Sequence, residues 1–187
     1  MSRAGAAPVA LLAVAACSAG GGTLPPRLTA AEVAGVFHVC ALRFTPVQAA
    51  LPPADVLGSV LDRAPGPGKP APSLTLSGVA PAFELVYTHA GDGALRQVRG
   101  DVEYGAGSVF LHLASQSPSI VQQEALLPPA HLDLVYHAAR RRLTAGAEVS
   151  AYSVRRADYT RAAGIGEEGL QDRITGHLTA EFAEGGC

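Results

Sequence analysis

The feature that most constrains the fold is a long stretch, residues 73–156, in which apolar residues recur at every second position. The alternation is visible at residues 83, 85 and 87, and again at residues 132, 134 and 136. Period-two patterns of this kind are typical of half-buried β-strands. The intervening segments are short and rich in glycine, proline and serine, as at residues 105–107 and 116–119. Because connections this short join antiparallel neighbours, the stretch predicts an up-and-down meander.

Eight strands are predicted along the chain, and a ninth is left open. The eight are expected at residues 36–44, 74–76, 83–89, 95–104, 109–114, 120–126, 131–137 and 148–156. Residues 55–62 fit a short strand or one helical turn, and the pattern favours the strand. Eight antiparallel strands can close into a barrel, which removes the exposed sheet edges. The predicted fold class is therefore all-β, an up-and-down antiparallel β-barrel, with a β-sandwich as the alternative.

The flanks of the predicted strands carry helical signals. Thr29 and Glu32 form a capping box that opens a single helical turn before the first strand. That strand is apolar on both faces, which predicts that it is covered on both sides. Residues 166–184 carry an apolar residue at every fourth position, which predicts a C-terminal α-helix on the outer wall of the barrel. The apolar stripe consists of Leu170, Ile174, Leu178 and Phe182.

Composition and motifs argue against several classes of function. The formal net charge is −2, and a nucleic-acid partner calls for a basic surface. The six histidines are scattered, without a zinc-binding spacing, and no nucleophile elbow or phosphate-binding loop occurs. We therefore expect no enzymatic activity, no metal site and no cofactor. Residues 140–142 are three arginines in a turn, interpreted as a solvated loop in preference to an anion or lipid-headgroup contact.

The N-terminus has the features of an export signal. Arg3 precedes an apolar run at residues 6–13, which is too short to span a bilayer and is followed by small residues. Residues 14–17, Val-Ala-Ala-Cys, resemble the lipobox of bacterial lipoproteins. The resemblance implies that Cys17 is diacylated and becomes the mature N-terminus, which gives stable anchoring to a membrane. The alternative is an ordinary signal peptide that is cut near Ala16.

The same resemblance implies a location and a domain organisation. The protein would be lipid-anchored in the bacterial cell envelope, and Ser18 favours the outer membrane, facing the periplasm. The expected segments are a signal peptide at residues 1–16, a flexible tether at 17–27 and one barrel domain at 28–187. With Cys17 lipidated, Cys40 and Cys187 remain as a disulfide candidate in an oxidising compartment. Alternatively, Cys40 is a small buried hydrophobe.

The order of these parts resembles the lipocalin superfamily, specifically the lipocalin-like domains of bacterial lipoproteins. A helical turn leads into Gly35-Val36-Phe37, where lipocalins have a Gly-x-Trp motif at the start of the first strand. In that family a basic residue near the end of the last strand packs over the Trp and closes the barrel. The resemblance implies that Arg155 or Arg156 would pack over Phe37 here, with a weaker cation–π contact than Trp provides.

The resemblance also implies that function lies inside the barrel, where the inward residues either fill a core or surround one apolar ligand. The binding hypothesis gives the protein a small hydrophobic ligand. The alternative is a structural or interaction protein of the envelope, with a filled barrel and a protein partner. The residues predicted to face inward are Phe83, Leu85, Tyr87, Val98, Val102, Tyr104, Leu111, Leu113, Leu134 and Tyr136.

Overall fold

The computed structural model describes residues 26–62, 66–113, 131–145 and 149–187. The strands are β1 (Gly35–Pro46), β2 (Ala54–Asp55), β3 (Ser73–Leu76), β4 (Ala82–Thr88), β5 (Leu95–Tyr104), β6 (Ser108–Leu113), β7 (His131–His137), β8 (Arg142–Ala145), β9 (Val149–Arg155) and β10 (Arg173–Ala183). The α-helices are α1 (Ala30–Val33), α2 (Leu57–Val60) and α3 (Arg156–Ala163), and a 3₁₀ helix spans Ala138–Arg140.

Every strand pairs antiparallel with its neighbours, and the sheet closes because β1 also pairs with β10. The ten strands form eight staves of the barrel, because two of the staves each consist of two short strands. β2 and β3 lie along the same edge of β1, while β8 and β9 lie along the same edge of β10. The result is a closed 8-strand antiparallel barrel, which confirms the predicted fold class. No helix in the described part of the chain is long and apolar enough to cross a membrane.

A β-bulge explains why β1 is apolar on both faces. The register of β1 against β10 shifts between Val39 and Ala41, so Cys40 is the extra residue. Phe37 is buried before the bulge and Phe44 after it, because one inserted residue exchanges the two faces of a strand. Arg43 and other outward residues are exposed. The prediction that this strand is covered on both sides is therefore wrong.

The predicted strands agree closely with the structure where it describes them. β5 and β7 have the predicted bounds, and the other predicted strands within the described residues differ by a residue or two. The segment left open at residues 55–62 is a two-residue strand followed by one helical turn. The strand predicted at residues 120–126 lies outside the described residues. β8, in residues 142–145, was not predicted.

The C-terminal part contains a short helix, but not where the apolar stripe predicted it. The helix is α3, and residues 173–183 of the predicted helix form β10. Ile174 and Phe182 both belong to the stripe, yet every even residue from 174 to 182 is buried, which is the period of a strand. β10 forms backbone hydrogen bonds with strands along both of its edges, and this pairing stabilises the strand over a helix. The prediction failed because its residues satisfy both periods.

The two ends of the barrel have different elements. One end, called the α1 end, carries α1, the 3₁₀ helix, the turns at residues 77–81 and 105–107, and the end of β10. The opposite end, called the α3 end, carries α2, α3, the turn at residues 89–94 and the start of β10.

Candidate functional site

The residues predicted to face inward belong to one hydrophobic core. Leu85, Leu111 and Leu134 are 0% exposed, and Tyr87 is 1% exposed. They form a single cluster with residues of β1, β3 and β10, such as Phe37. Tyr104 is half-buried against that cluster, and the side chain of Leu113 lies outside the described residues. The buried members of the predicted set are Phe83, Leu85, Tyr87, Val98, Val102, Leu111, Leu134 and Tyr136.

The exposure values also bear on whether the interior is filled. A cavity wide enough for a water molecule leaves accessible area on the side chains that surround it. Leu74, Leu85 and Leu178, from three different strands, have none. These side chains are packed on every side, as in the interior of a typical globular protein. The role of the inward set as ligand contacts stays a prediction, and its packing favours a core.

Arg141 closes the α1 end. Its guanidinium lies over the rings of Phe37 and Tyr136, with centroid distances of 5.7 Å and 5.8 Å. The same group donates two hydrogen bonds to the carboxylate of Glu184, and its Nη1 donates to the carbonyl oxygen of Glu32 at 2.8 Å. The hydroxyl of Tyr136 donates to that same carbonyl at 3.1 Å. One arginine thus joins α1, β1, β7 and the residue after β10.

Local backbone geometry allows this reach. Arg141 follows the 3₁₀ helix in the left-handed conformation, with φ 47°, which turns the chain sharply before β8. Gly35 lies beneath the ion pair, where a Cβ would be 2.5 Å from Glu184 Oε1 and 2.9 Å from Arg141 Nη2. The glycine leaves room for the ion pair, and a Cβ there would push the ends of these two flexible side chains aside. The hydrogen bond from Arg141 lowers the pKa of Glu184 and raises the pKa of the guanidinium itself.

The predicted closure residues Arg155 and Arg156 are at the other end of the barrel. Arg155 pairs with Arg173 at the start of β10, whereas β1 beside Phe37 pairs with the end of that strand. The length of β10 separates the two places by roughly 30 Å. Arg156 instead contacts the carboxylate of Glu167 at 3.2 Å and the carbonyl oxygen of Leu170 at 2.9 Å. The prediction that Arg155 or Arg156 packs over Phe37 is therefore wrong, and the arginine over that ring is Arg141.

A polar cluster lies at the α3 end around His89, which is 2% exposed. Its Nδ1 accepts a hydrogen bond from the backbone N–H of Gly91 at 3.1 Å, and its Nε2 is 3.8 Å from Asp158 Oδ2. Asp92 Oδ1 is 3.4 Å from the imidazole Nδ1. Burial raises the pKa of Asp158, while its electrostatic interactions with His89 and Arg161 oppose that shift. No sequence motif indicates this pair, because its members are far apart in the chain.

A small cavity lies next to this cluster and is lined by His89, Tyr152, Ser153, Asp158 and Arg173, among others. Its volume is about 20 Å³, which is room for a water molecule and not for an organic ligand. Arg173 donates hydrogen bonds to the hydroxyl and the carbonyl oxygen of Ser153, at 2.7 Å and 2.8 Å. Burial raises the pKa of Tyr152. The cavity can therefore hold a hydrogen-bonded water near the His89–Asp158 pair.

The remaining predicted site residues concern cysteine and metal. Cys40 and Cys187 lie at disulfide distance, with their Cα atoms 5.2 Å apart, as the sequence suggested. The pair fastens the C-terminus to the bulge in β1. Cys17 lies outside the described residues. Within the described ranges, no three His, Cys, Asp or Glu side chains are grouped so that they could hold a metal ion.

The fold and its packed core define the class of this molecule, a closed eight-stranded antiparallel β-barrel protein. Comparison with known proteins adds no family to that class: no family model matches the chain, and no curated protein or solved structure matches it.

Proposed function

We propose that this chain is the precursor of a lipid-anchored lipoprotein of the bacterial cell envelope, with a lipocalin-like barrel that serves as an interaction module. In this proposal the barrel interior is structural, and the outer surface and the ends meet an envelope partner. The hypothesis of a small hydrophobic ligand becomes the alternative. We also propose that the protein has no enzymatic activity, since the buried His89–Asp158 pair adjoins a cavity with room for a water alone.

The observation that carries the proposal is the burial of the predicted inward set. Side chains such as Leu85 and Leu111 are 0% exposed and share one cluster with Phe37 and Phe44. Sites for small organic ligands usually enclose some 300–1,000 Å³. Side chains that line such a space would keep accessible area. A filled barrel therefore explains the burial of the set more simply than a ligand cavity does.

The lipocalin-like character rests on features at the α1 end. A helical turn precedes Gly35-Val36-Phe37, an arginine stacks over Phe37, and the first and last strands close the barrel. The helical turn and the strand closure agree with the resemblance drawn from the sequence, whereas the arginine precedes β8 and does not come from the end of the last strand. They support a kinship in architecture and say nothing of a ligand, because one fold hosts many functions.

Export and anchoring rest on two independent features of the chain. The leader at residues 1–16 ends at a lipobox-like Cys17. The Cys40–Cys187 pair is suited to an oxidising compartment such as the periplasm. Together with Ser18, they support an outer-membrane lipoprotein that faces the periplasm. Incorporation of labelled palmitate tests the anchor, and the Cys17→Ala variant should lose the label. Equal labelling of both proteins would contradict it.

Photo-crosslinking in intact cells tests the interaction role. A photoreactive amino acid at Leu95, which is 54% exposed at the α3 end, should give a discrete crosslinked species of higher mass. The matched control places the same group at Val36, which is 47% exposed on β1 near the α1 end, and should give no such species. Recovery of only the monomer from both positions would count against an envelope partner at this end.

A further inference from the structure

The most exposed large apolar side chain of the described protein lies at the α1 end. Val79 is 99% exposed, at the tip of the turn between β3 and β4. Its neighbours Gly78, Ala80 and Pro81 are exposed as well, and residues 77–81 carry no charge. On the other side of α1, residues 138 and 139, both alanine, are also exposed. The end of the barrel thus presents small apolar groups to its surroundings.

The turn at residues 77–81 is internally bonded. The hydroxyl of Ser77 accepts hydrogen bonds from the backbone N–H groups of Val79 at 3.3 Å and Ala80 at 3.2 Å. The N–H of Ser77 donates to the carbonyl of Ala82 at 3.0 Å. Backbone donors that are already bonded lower the cost of moving a segment from water into a less polar layer. The exposed valine is therefore presented on a turn that can enter such a layer.

The chain that leads to Cys17 leaves from this same end. A Cβ at Gly78 would be 3.0 Å from the Cβ of Ala34, so the turn touches the residue after α1. The N–H of Leu28 donates to the carbonyl of Gly105 in the β5–β6 turn at 2.9 Å. The nine residue steps from Cys17 to residue 26 span at most about 30 Å when extended, and about 17 Å as a flexible coil. An acyl group on Cys17 would hold the α1 end closest to the bilayer.

The charges at this end suit a lipid surface. Arg27 and Arg140 are exposed on either side of α1. Arg141 is paired with Glu184, and the other carboxylates near this end are those of Glu32 and of Glu103 at the end of β5, so the cations that can face a lipid surface are Arg27 and Arg140. Basic side chains beside a bilayer are attracted to anionic headgroups.

We infer that the α1 end is a membrane-contacting face, which inserts Val79 into the interface of the bilayer that holds the Cys17 acyl chains and sets Arg27 and Arg140 against its headgroup phosphates. The inference rests on the proposed lipid anchor and adds an orientation to it. The α3 end, with the His89–Asp158 cluster, then points away from the membrane toward the periplasm. Arg140, interpreted from sequence as part of a solvated loop, becomes a headgroup contact.

The chain contains no tryptophan, so the fluorescence of one introduced tryptophan reports on its position alone. The full chain is produced with Val79→Trp in a host that lipidates it, then reconstituted into phosphatidylethanolamine–phosphatidylglycerol vesicles that contain acyl-brominated phosphatidylcholine. The matched control is Val47→Trp, at a position that is 63% exposed just after β1, at the α3 end. Both substitutions replace an exposed valine, so both variants should fold.

The expected result is that the brominated lipid quenches most of the emission of the Val79→Trp protein, with a shift to shorter wavelength, and leaves the Val47→Trp protein unchanged. Adding Arg140→Gln to Val79→Trp should change the ratio of docked protein, whose α1 end contacts the bilayer, to undocked protein. We expect that ratio to fall about fivefold. Adding Arg43→Gln, on the outer wall, should leave that ratio unchanged.

Flotation of the vesicles separates the two ways in which this can fail. If the Val79→Trp protein floats with its vesicles while its tryptophan fluorescence stays unquenched, the docking inference is overturned and the anchor is left intact. Equal quenching of both tryptophan variants also overturns it, because the domain would then have no preferred orientation. Protein that does not float overturns the proposed anchor and the docking together.

Discussion

Replacement of Leu85 by alanine offers a quantitative test of the packed interior. Leu85 lies on β4 and is 0% exposed. Its direct neighbours across the sheet are Leu74 on β3 and Val98 on β5, both of which are buried. A side chain enclosed in this way cannot be shortened without leaving a void, unless the surrounding strands collapse.

The expected cost follows from the atoms removed. Leu85→Ala deletes three carbons, which is about 2.4 kcal/mol of lost transfer free energy at about 0.8 kcal/mol for each. The void that remains adds a further term, so we expect a loss of about 3–4 kcal/mol in the free energy of unfolding. Leu95→Ala is the matched control, because Leu95 is 54% exposed and should change that free energy by less than about 0.5 kcal/mol.

Urea unfolding of the two variants and the unaltered protein measures both numbers. With a slope of about 2 kcal/mol per molar urea, the midpoint of Leu85→Ala should fall by about 1.5–2 M. A Leu85→Ala protein as stable as Leu95→Ala would refute the reasoning, because it would mean that the interior was loosely filled and had room for a ligand.

Three further predictions concern the pairing of β1 with β10, the terminal cysteine and the pH dependence of stability. A Cβ at Gly176 would lie 2.3 Å from a carbonyl oxygen of β1, so Gly176→Ala should destabilise the protein by about 1–3 kcal/mol. Gly166 has open space around it, so Gly166→Ala should not destabilise the protein. Equal melting temperatures of the two variants would contradict this prediction. Cys187→Ser should lower the free energy of unfolding by up to about 5 kcal/mol, the chain-entropy value for a loop this long, and a reductant should then have no further effect on guanidinium unfolding. The pKa of Asp158 is raised in the folded protein, so between the ordinary value of 3.8 and the raised one this carboxyl binds more protons in the folded state, and its contribution to stability falls as pH rises. Asp158→Asn should remove that contribution, so the urea midpoints should rise more steeply with pH over this range than those of the unaltered protein, and an unchanged slope would count against it.

Much of the fold could be predicted from the sequence because period-two alternation is a direct consequence of a sheet with one buried face. β5 and β7 were placed to the residue on that basis. One feature of β1 and one of β10 could not be predicted from the sequence. The bulge at Cys40 exchanges the faces of β1, and the apolar residues of β10 fit a helical stripe as well as a strand. In both cases pairing decides the structure, and the residues of β1 and β10 that pair with each other are 130 or more residues apart in the chain.

The sequence did not identify the arginine that lies over Phe37 or the pairing of His89 with Asp158. The resemblance placed Arg155 or Arg156 over Phe37, whereas the three arginines at residues 140–142 have the same chemistry and were interpreted as a solvated loop. The left-handed backbone of Arg141, which aims its side chain over the α1 end, has no signature in the sequence. His89 and Asp158 likewise meet only because the β4–β5 turn and α3 lie at the same end of the barrel.

Native mass spectrometry of the protein, extracted in mild detergent from the membrane of cells that produce it, tests the central claim most directly. A filled barrel anchored by a lipid should give the chain from Cys17 onward with the added mass of its acyl groups and without a bound small molecule. A chain without that added mass would contradict the anchor, and a hydrophobic compound that stays bound in a one-to-one ratio would contradict the filled barrel.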